Sequence, residues 1–283
     1  MKSRLAVPIA VLAFVLAACS SIGASPSAAG VPATAAPASA TAAPSVAKVE
    51  LTIYGAASLK GTLDKAKAAY ETGNPGTTLT ISTDSSATLE TQIEQGAPAD
   101  VFLSADTTNP KKLIDKGLAD GAAVTFAHNK LTVIVPGANR AGIKTPADLA
   151  KAGVKVIAAG DTVPITKYAT QLVANLAKET DYPADFVARY TGNIASREDN
   201  VKAIVAKIEL GEGDAGIVYV TDAKASTQVM LVTVPDSANV PATYDGVVVK
   251  ASTNAMAAKA FLDWLAGPDG QAILSGLGFQ PPS

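Results

Sequence analysis

Ser58 follows a run of strand character at residues 51–54 and three small residues, Gly55, Ala56 and Ala57, and it stands just ahead of an amphipathic helix that begins at Leu59. Ser85 and Ser86 repeat the arrangement. A short strand at residues 79–82 leads into them, and a helix with Leu89 and Ile93 on its apolar face follows, ending at Gly96. The chemistry such positions offer is anion binding: the first backbone N–H groups of a helix lack carbonyl partners and carry the positive end of the macrodipole, so an anion finds donors there without lysine or arginine. Small residues before Ser58 let a ligand approach the backbone. A serine in this place also serves as a plain N-cap, and the segment around Ser58 alone leaves both uses open. The repetition favours the anion, because the carboxyl ends of strands in an open α/β sheet converge on one crevice.

Other chemistries are poorly supplied. A serine hydrolase needs a histidine and a positioned acid beside its nucleophile; the single histidine is His128, next to Asn129, and no GxSxG is present. With one histidine and one cysteine, side-chain ligation of a transition metal is also disfavoured. The carboxylates are spread at helical spacing and read as solvated faces. Formal net charge is −2, so no basic excess exists to hold nucleic acid, and an anion receptor would have to bind through dipoles.

The elements that must position these serines occupy only part of the 283 residues. Lys2 and Arg4 precede an uncharged apolar run at residues 9–19, too short for a span of about 20 apolar residues but laid out as a secretory signal. It ends in Leu-Ala-Ala-Cys at residues 16–19, which resembles the bacterial lipobox and implies cleavage before Cys19 and lipidation of its thiol. There is no second cysteine for a disulfide within the chain. Residues 20–47 carry no charge and consist of Ala, Ser, Pro, Thr, Gly, Val and one Ile, a composition that cannot build a core. The expected organisation is a signal over residues 1–18, then a lipid-anchor Cys19 and tether over residues 19–47, with a reach of roughly 25 to 35 Å. That places the folded part outside the cytoplasm, anchored to the cell membrane.

From Val49 strand and helix signals alternate, which predicts α/β architecture. Leu59, Leu63, Ala66, Ala69 and Tyr70 share a helical face; a strand is expected at residues 100–103, and Asn109 with Pro110 opens a helix that Gly117 ends. Residues 130–135 read as the first strand of a second lobe, stopped by Pro136. There Thr145 and Pro146 start a helix, residues 154–158 form a strand and residues 165–178 a helix. Residues 196–210 are predicted helical, with Val201, Ile204, Val205 and Ile208 inward and Ser196 or Asp199 as cap. Strands follow at residues 215–220 and 229–234. Residues 244–249 return the chain to the first lobe, closed by a helix at residues 254–265 that contains Met256, Phe261, Leu262, Trp264 and Leu265.

Three motifs in this order, AASL at residues 56–59, SSATLETQIEQGAPADVFLSAD at residues 85–106 and GIVYVTDA at residues 216–223, resemble the molybdate-binding proteins of ABC importers, a type II periplasmic-binding-protein family. The similarity runs from about Val49 to Phe279. It implies a two-lobed α/β fold, each lobe a mixed, mainly parallel sheet flanked by helices, with lobe I at residues 48–127 and 240–283 and lobe II, including hinge strands, at residues 128–239. It also implies an oxyanion site made of Ser58 and Ser86 through hydroxyl and backbone N–H, Ile165 and Val201 through backbone N–H, and the Tyr219 phenol. The metal is then bound only as the oxyanion, molybdate or tungstate, without a cofactor. Implied partners are a permease and its ATPase, with a monomeric receptor and no enzymatic activity. Two departures stand out. Thr166 in VPITKY replaces the family's glycine, leaving Tyr168 as a substitute donor, and Asp245 follows Tyr244 where the family commonly has proline. A receptor for sulfate or another tetrahedral oxyanion, a secreted serine-hydrolase-like lipoprotein using Ser58, and a structural or adhesion lipoprotein are the alternatives.

Overall fold

The computed structural model describes residues 48–282. The signal and tether of residues 1–47, with Cys19, lie outside the described residues. The chain opens with β1 (Val49–Ala56), a 3-10 turn (Ala57–Leu59) and α1 (Lys60–Gly73), then β2 (Thr77–Asp84), α2 (Ser86–Glu94), β3 (Val101–Ser104), α3 (Thr108–Asp115) and β4 (Ala119–Asn129). A second group comprises β5 (Leu131–Pro136), a 3-10 turn (Pro146–Ala150), β6 (Val156–Ala159), α4 (Pro164–Leu176), α5 (Phe186–Gly192), β7 (Ile194–Glu198), α6 (Val201–Glu209), β8 (Ala215–Tyr219), α7 (Val220–Lys224) and β9 (Val229–Val232). The chain then returns through β10 (Ala242–Val249), α8 (Ala255–Ala266) and α9 (Pro268–Gly276).

Two five-stranded sheets result, ordered β2-β1-β3-β10-β4 and β7-β6-β8-β5-β9. Each is mixed: β1 runs parallel to β2 and β3, and β6 to β7 and β8, while β10 and β5 are antiparallel to both their neighbours. Sheet and helix meet through apolar stripes at helical spacing. Leu63, Ala66 and Tyr70 of α1 are buried, and the Tyr70 ring meets Phe261 and Trp264 of α8, each at a centroid distance of 5.0 Å. Ala258, Phe261, Leu262 and Leu265 form the inward stripe of α8. Met256 of the same helix does not join it and is 91% exposed.

The helix predicted over residues 196–210 is shorter than its pattern suggested. Residues 194–198 are β7, paired in parallel with β6, and neither Ser196 nor Asp199 is the cap. Asn200 is: its Oδ1 accepts the N–H of Ala203 at 3.1 Å. The apolar spacing starts only at Val201, so the strand residues before it carried no helical signal of their own. The eleven-residue β4 had no legible period because alanine and glycine fill much of it, and it is held by β10 through a ladder with two register shifts.

The chain passes between sheets at two places lying side by side. Lys130 alone separates β4 from β5, and residues 233–241 separate β9 from β10. Asn239 zips the two passages together, its Oδ1 accepting the Leu131 N–H at 3.0 Å and its Nδ2 donating to the Leu131 carbonyl at 2.8 Å.

In β8, Gly216 gives α6 its seat: a Cβ there would lie 2.6 Å from Ile204 Cγ2 and 3.1 Å from the Ile157 carbonyl oxygen. Gly216→Ala should therefore destabilise the protein by about 1–3 kcal/mol through overpacking. Urea unfolding checks this; an unchanged midpoint would show that the seat yields without strain.

Candidate functional site

Strand ends deliver helix starts to one place between the sheets. Beyond β1 the 3-10 turn carries Ser58, beyond β2 stand Ser85 and Ser86, and across from them Ile165 lies in the first turn of α4 and Val201 begins α6. Tyr219 ends β8 on the same side. Ser58, Ser86, Ile165, Val201 and Tyr219 line a single small cavity, together with Ser85, Asn200 and small or apolar neighbours. Among its lining residues there is no lysine, arginine or carboxylate.

The donors are neutral. In each helix the first-turn N–H groups have no carbonyl four residues back. Neither Ser58 nor Ser86 makes a capping bond. The Ser58 Oγ lies 3.0 Å from the Tyr244 hydroxyl, and Ser86 Oγ accepts the N–H of Ala105 at 3.0 Å, which leaves its own proton to donate elsewhere. The Tyr219 hydroxyl is buried and has no hydrogen-bond partner among the described residues. Burial, with smaller contributions from Tyr244, Tyr168 and Asp222, pushes the Tyr219 phenol well above its ordinary pKa, so it stays a donor at neutral pH. Two signals that sequence reasoning missed complete the surround. Tyr244 positions Ser58 from 186 residues away, and Asp84 Oδ1 accepts from both Ser85 N–H at 2.7 Å and, across the cleft, Asn200 Nδ2 at 3.1 Å.

Tyr168 is not among the cavity's lining residues. Its hydroxyl meets the Thr243 backbone of β10, donating to the carbonyl at 3.4 Å and accepting the N–H at 3.3 Å, while its ring stands edge-on to Tyr219, centroids 6.3 Å apart. Thr166, the residue in the glycine's place, takes helical backbone inside α4 and donates its hydroxyl to the Gly160 carbonyl at 2.8 Å. Asp245 accepts from the Thr125 hydroxyl at 2.7 Å beside the β4–β10 register shift. Glu198 is turned away onto Lys207 at 2.8 Å. His128 bonds Thr243 Oγ1 at 3.2 Å through Nδ1. Among the described residues, no three His, Cys, Asp or Glu side chains group as a metal site would require, and no helix is long and apolar enough to cross a membrane.

Two sheets whose strand ends face each other over a small ring of donors make a receptor for a small solute. Residues 51–280 match the family described as bacterial extracellular solute-binding protein, and the chain belongs to that family. A relative is the molybdate-binding protein ModA of Mycobacterium tuberculosis, 31% identical over 236 residues that cover 82% of this chain and 85% of that one. Of solved structures, the periplasmic molybdate-binding protein of Azotobacter vinelandii is 26% identical, covers 82% of this chain and 100% of its own, and superposes with a TM-score of 0.69. The sulfate-binding protein SubI of Mycobacterium tuberculosis shares the fold at 21% identity, with a TM-score of 0.74 over 82% of this chain and 87% of that one.

Two buried phenols, Tyr168 beside the site and Tyr190 of α5, set an alkaline limit. Burial raises Tyr168 to about 12, against the opposing Thr243 bond, and raises Tyr190 to about 12 as well. Above the ordinary phenol pKa of about 10 the unfolded chain binds fewer protons than the native one, so the stability they contribute is intact below that pH and lost as pH rises towards 12. Melting temperature followed across this window should fall steadily; a flat profile would contradict the burial of these hydroxyls.

Proposed function

We propose that the chain is the extracytoplasmic receptor of an ABC importer, closing its two lobes on molybdate or tungstate and passing the oxyanion to a membrane permease driven by an ATPase. The observation that carries this reading is the cavity in which Ser58, Ser86, Ile165, Val201 and Tyr219, from both sheets, meet without a charged side chain. The names of the relatives support molybdate as ligand. The ligand contacts are the hydroxyls of Ser58, Ser86 and Tyr219 and the backbone N–H groups of Ser58, Ser86, Ile165 and Val201. Each charge-assisted hydrogen bond contributes roughly 1.5 to 3 kcal/mol net, so five to seven support sub-micromolar binding after the costs of association. Cavity size separates the larger molybdate and tungstate from sulfate. Hydrogen phosphate keeps a proton near neutral pH, and no lining carboxylate accepts it.

The protein acts as a binding monomer, not an enzyme, with lobe I at residues 48–127 and 240–283 and lobe II between. It is held to the membrane by lipid on Cys19. Cys19→Ser should release it from the membrane fraction with oxyanion affinity unchanged; a mutant retained there with normal lipid labelling would refute the anchor.

Calorimetric titration with molybdate, tungstate, sulfate and phosphate tests the ligand. Ser58→Ala, Ser86→Ala and Tyr219→Phe should each weaken binding of the preferred oxyanion by roughly 1.5 to 3 kcal/mol, about tenfold to 150-fold. Ligand-free melting should be little affected in Tyr219→Phe, whose hydroxyl has no partner among the described residues, but lowered in Ser58→Ala and Ser86→Ala, which leave the Tyr244 hydroxyl and the Ala105 N–H unpaired. Unchanged affinity in all three mutants would place the site elsewhere.

A further inference from the structure

Of the buried side-chain oxygen and nitrogen atoms without a hydrogen-bond partner among the described residues, only Ser85 Oγ and the Tyr219 hydroxyl belong to residues lining the cavity. They stand on opposite lobes, one at the start of α2 and one at the end of β8. Ser85 occupies the N-cap position of α2, where a serine ordinarily accepts an N–H from the first turn of its own helix. It makes no such bond. Its backbone is fully engaged, the N–H on Asp84 Oδ1 at 2.7 Å and the carbonyl on Leu89 N–H at 3.0 Å. The hydroxyl alone is left over, in a residue only 4% exposed. A buried hydroxyl without a partner is unfavourable, and native proteins seldom keep one unless something else satisfies it.

We propose that Ser85 is a further ligand contact, donating its hydroxyl to the bound oxyanion beside Ser86, so that α2 contributes two consecutive serine hydroxyls to the site. This rests on the reading of the cavity as an oxyanion site. The two serines have different duties. Ser86 Oγ also fastens α2 to the end of β3 by accepting the Ala105 N–H, whereas Ser85 Oγ has no second task and is held in place by its neighbours. Asp84 fixes the Ser85 backbone and, by accepting from Asn200 Nδ2 at 3.1 Å, ties it to the cap of α6 across the cleft. The Ser85 hydroxyl is thus held where the lobes meet.

The test is titration of wild type, Ser85→Ala and Tyr219→Phe with molybdate and with tungstate, paired with ligand-free melting. Ser85→Ala should bind about tenfold more weakly, the effect of one lost hydrogen bond to a charged group, while melting without ligand stays the same or rises because no cap bond is removed. Affinity within twofold of wild type would overturn the contact. Weakened binding together with lowered ligand-free melting would also overturn it, since that pair of changes marks a helix cap. Should Tyr219→Phe lose affinity while Ser85→Ala does not, the oxyanion site stands and the Ser85 contact alone falls; should wild type bind neither oxyanion, the site reading itself fails.

Discussion

Helix starts repel one another when they point at the same spot. The beginnings of the 3-10 turn before α1, of α2, of α4 and of α6 all line one cavity, and each full helix carries roughly half a positive elementary charge at that end. No lining side chain offsets them. The remaining architecture follows from holding such ends together: the strands that feed them must end on the same side of each sheet, the sheets must face across a gap, and the segments joining the sheets must fix their distance. An anion placed in the gap would relieve the repulsion, and neutral donors would let it leave again.

The passages between sheets are built to a matching standard. Asn239 uses its amide as a substitute peptide group against Leu131, and Tyr168 grips Thr243 of β10 by both backbone polar groups. The Tyr168 ring leads to Tyr219, Tyr219 to Tyr244 at 5.6 Å, and Tyr244 to Phe279 at 5.4 Å. A column of rings therefore joins the connecting strand to the cavity wall, and the phenol at the cavity is positioned by the same packing that holds the lobes in register.

Much of this was legible because it is local. Serine between a strand and an amphipathic helix is a short-range pattern, and Ser58 and Ser86 were read from it; the fold class followed from the alternation of strand and helix. The spacing of Val201, Ile204, Val205 and Ile208 located α6, but Ser196, Asp199 and Asn200 are all competent caps, and only the pairing of β7 with β6 decides among them. What stayed hidden depends on partners far away in sequence. Tyr244 reaches Ser58 across 186 residues and Asn200 reaches Asp84 across 116. Tyr168 looked like a spare donor because it follows the loop at Pro164, yet the Thr243 backbone claims its hydroxyl. At α2, Ser85 holds the cap position without making the bond, which no local pattern announces.

The place of β10 governs how the molecule can be assembled. It lies between β3 and β4 in the first sheet, and among the described strands β4 pairs with no other there. More than a hundred residues separate the end of β4 from the start of β10, and the whole second sheet is made from them. In a chain delivered from its N-terminus, β5 to β9 are all available before residue 242 arrives, whereas the first sheet must wait with an open edge at β3. The second lobe can therefore mature early. The first is completed later, by the same strand that brings Tyr244 beneath Ser58, so the hydroxyl that holds one wall of the cavity arrives only after every residue lining it.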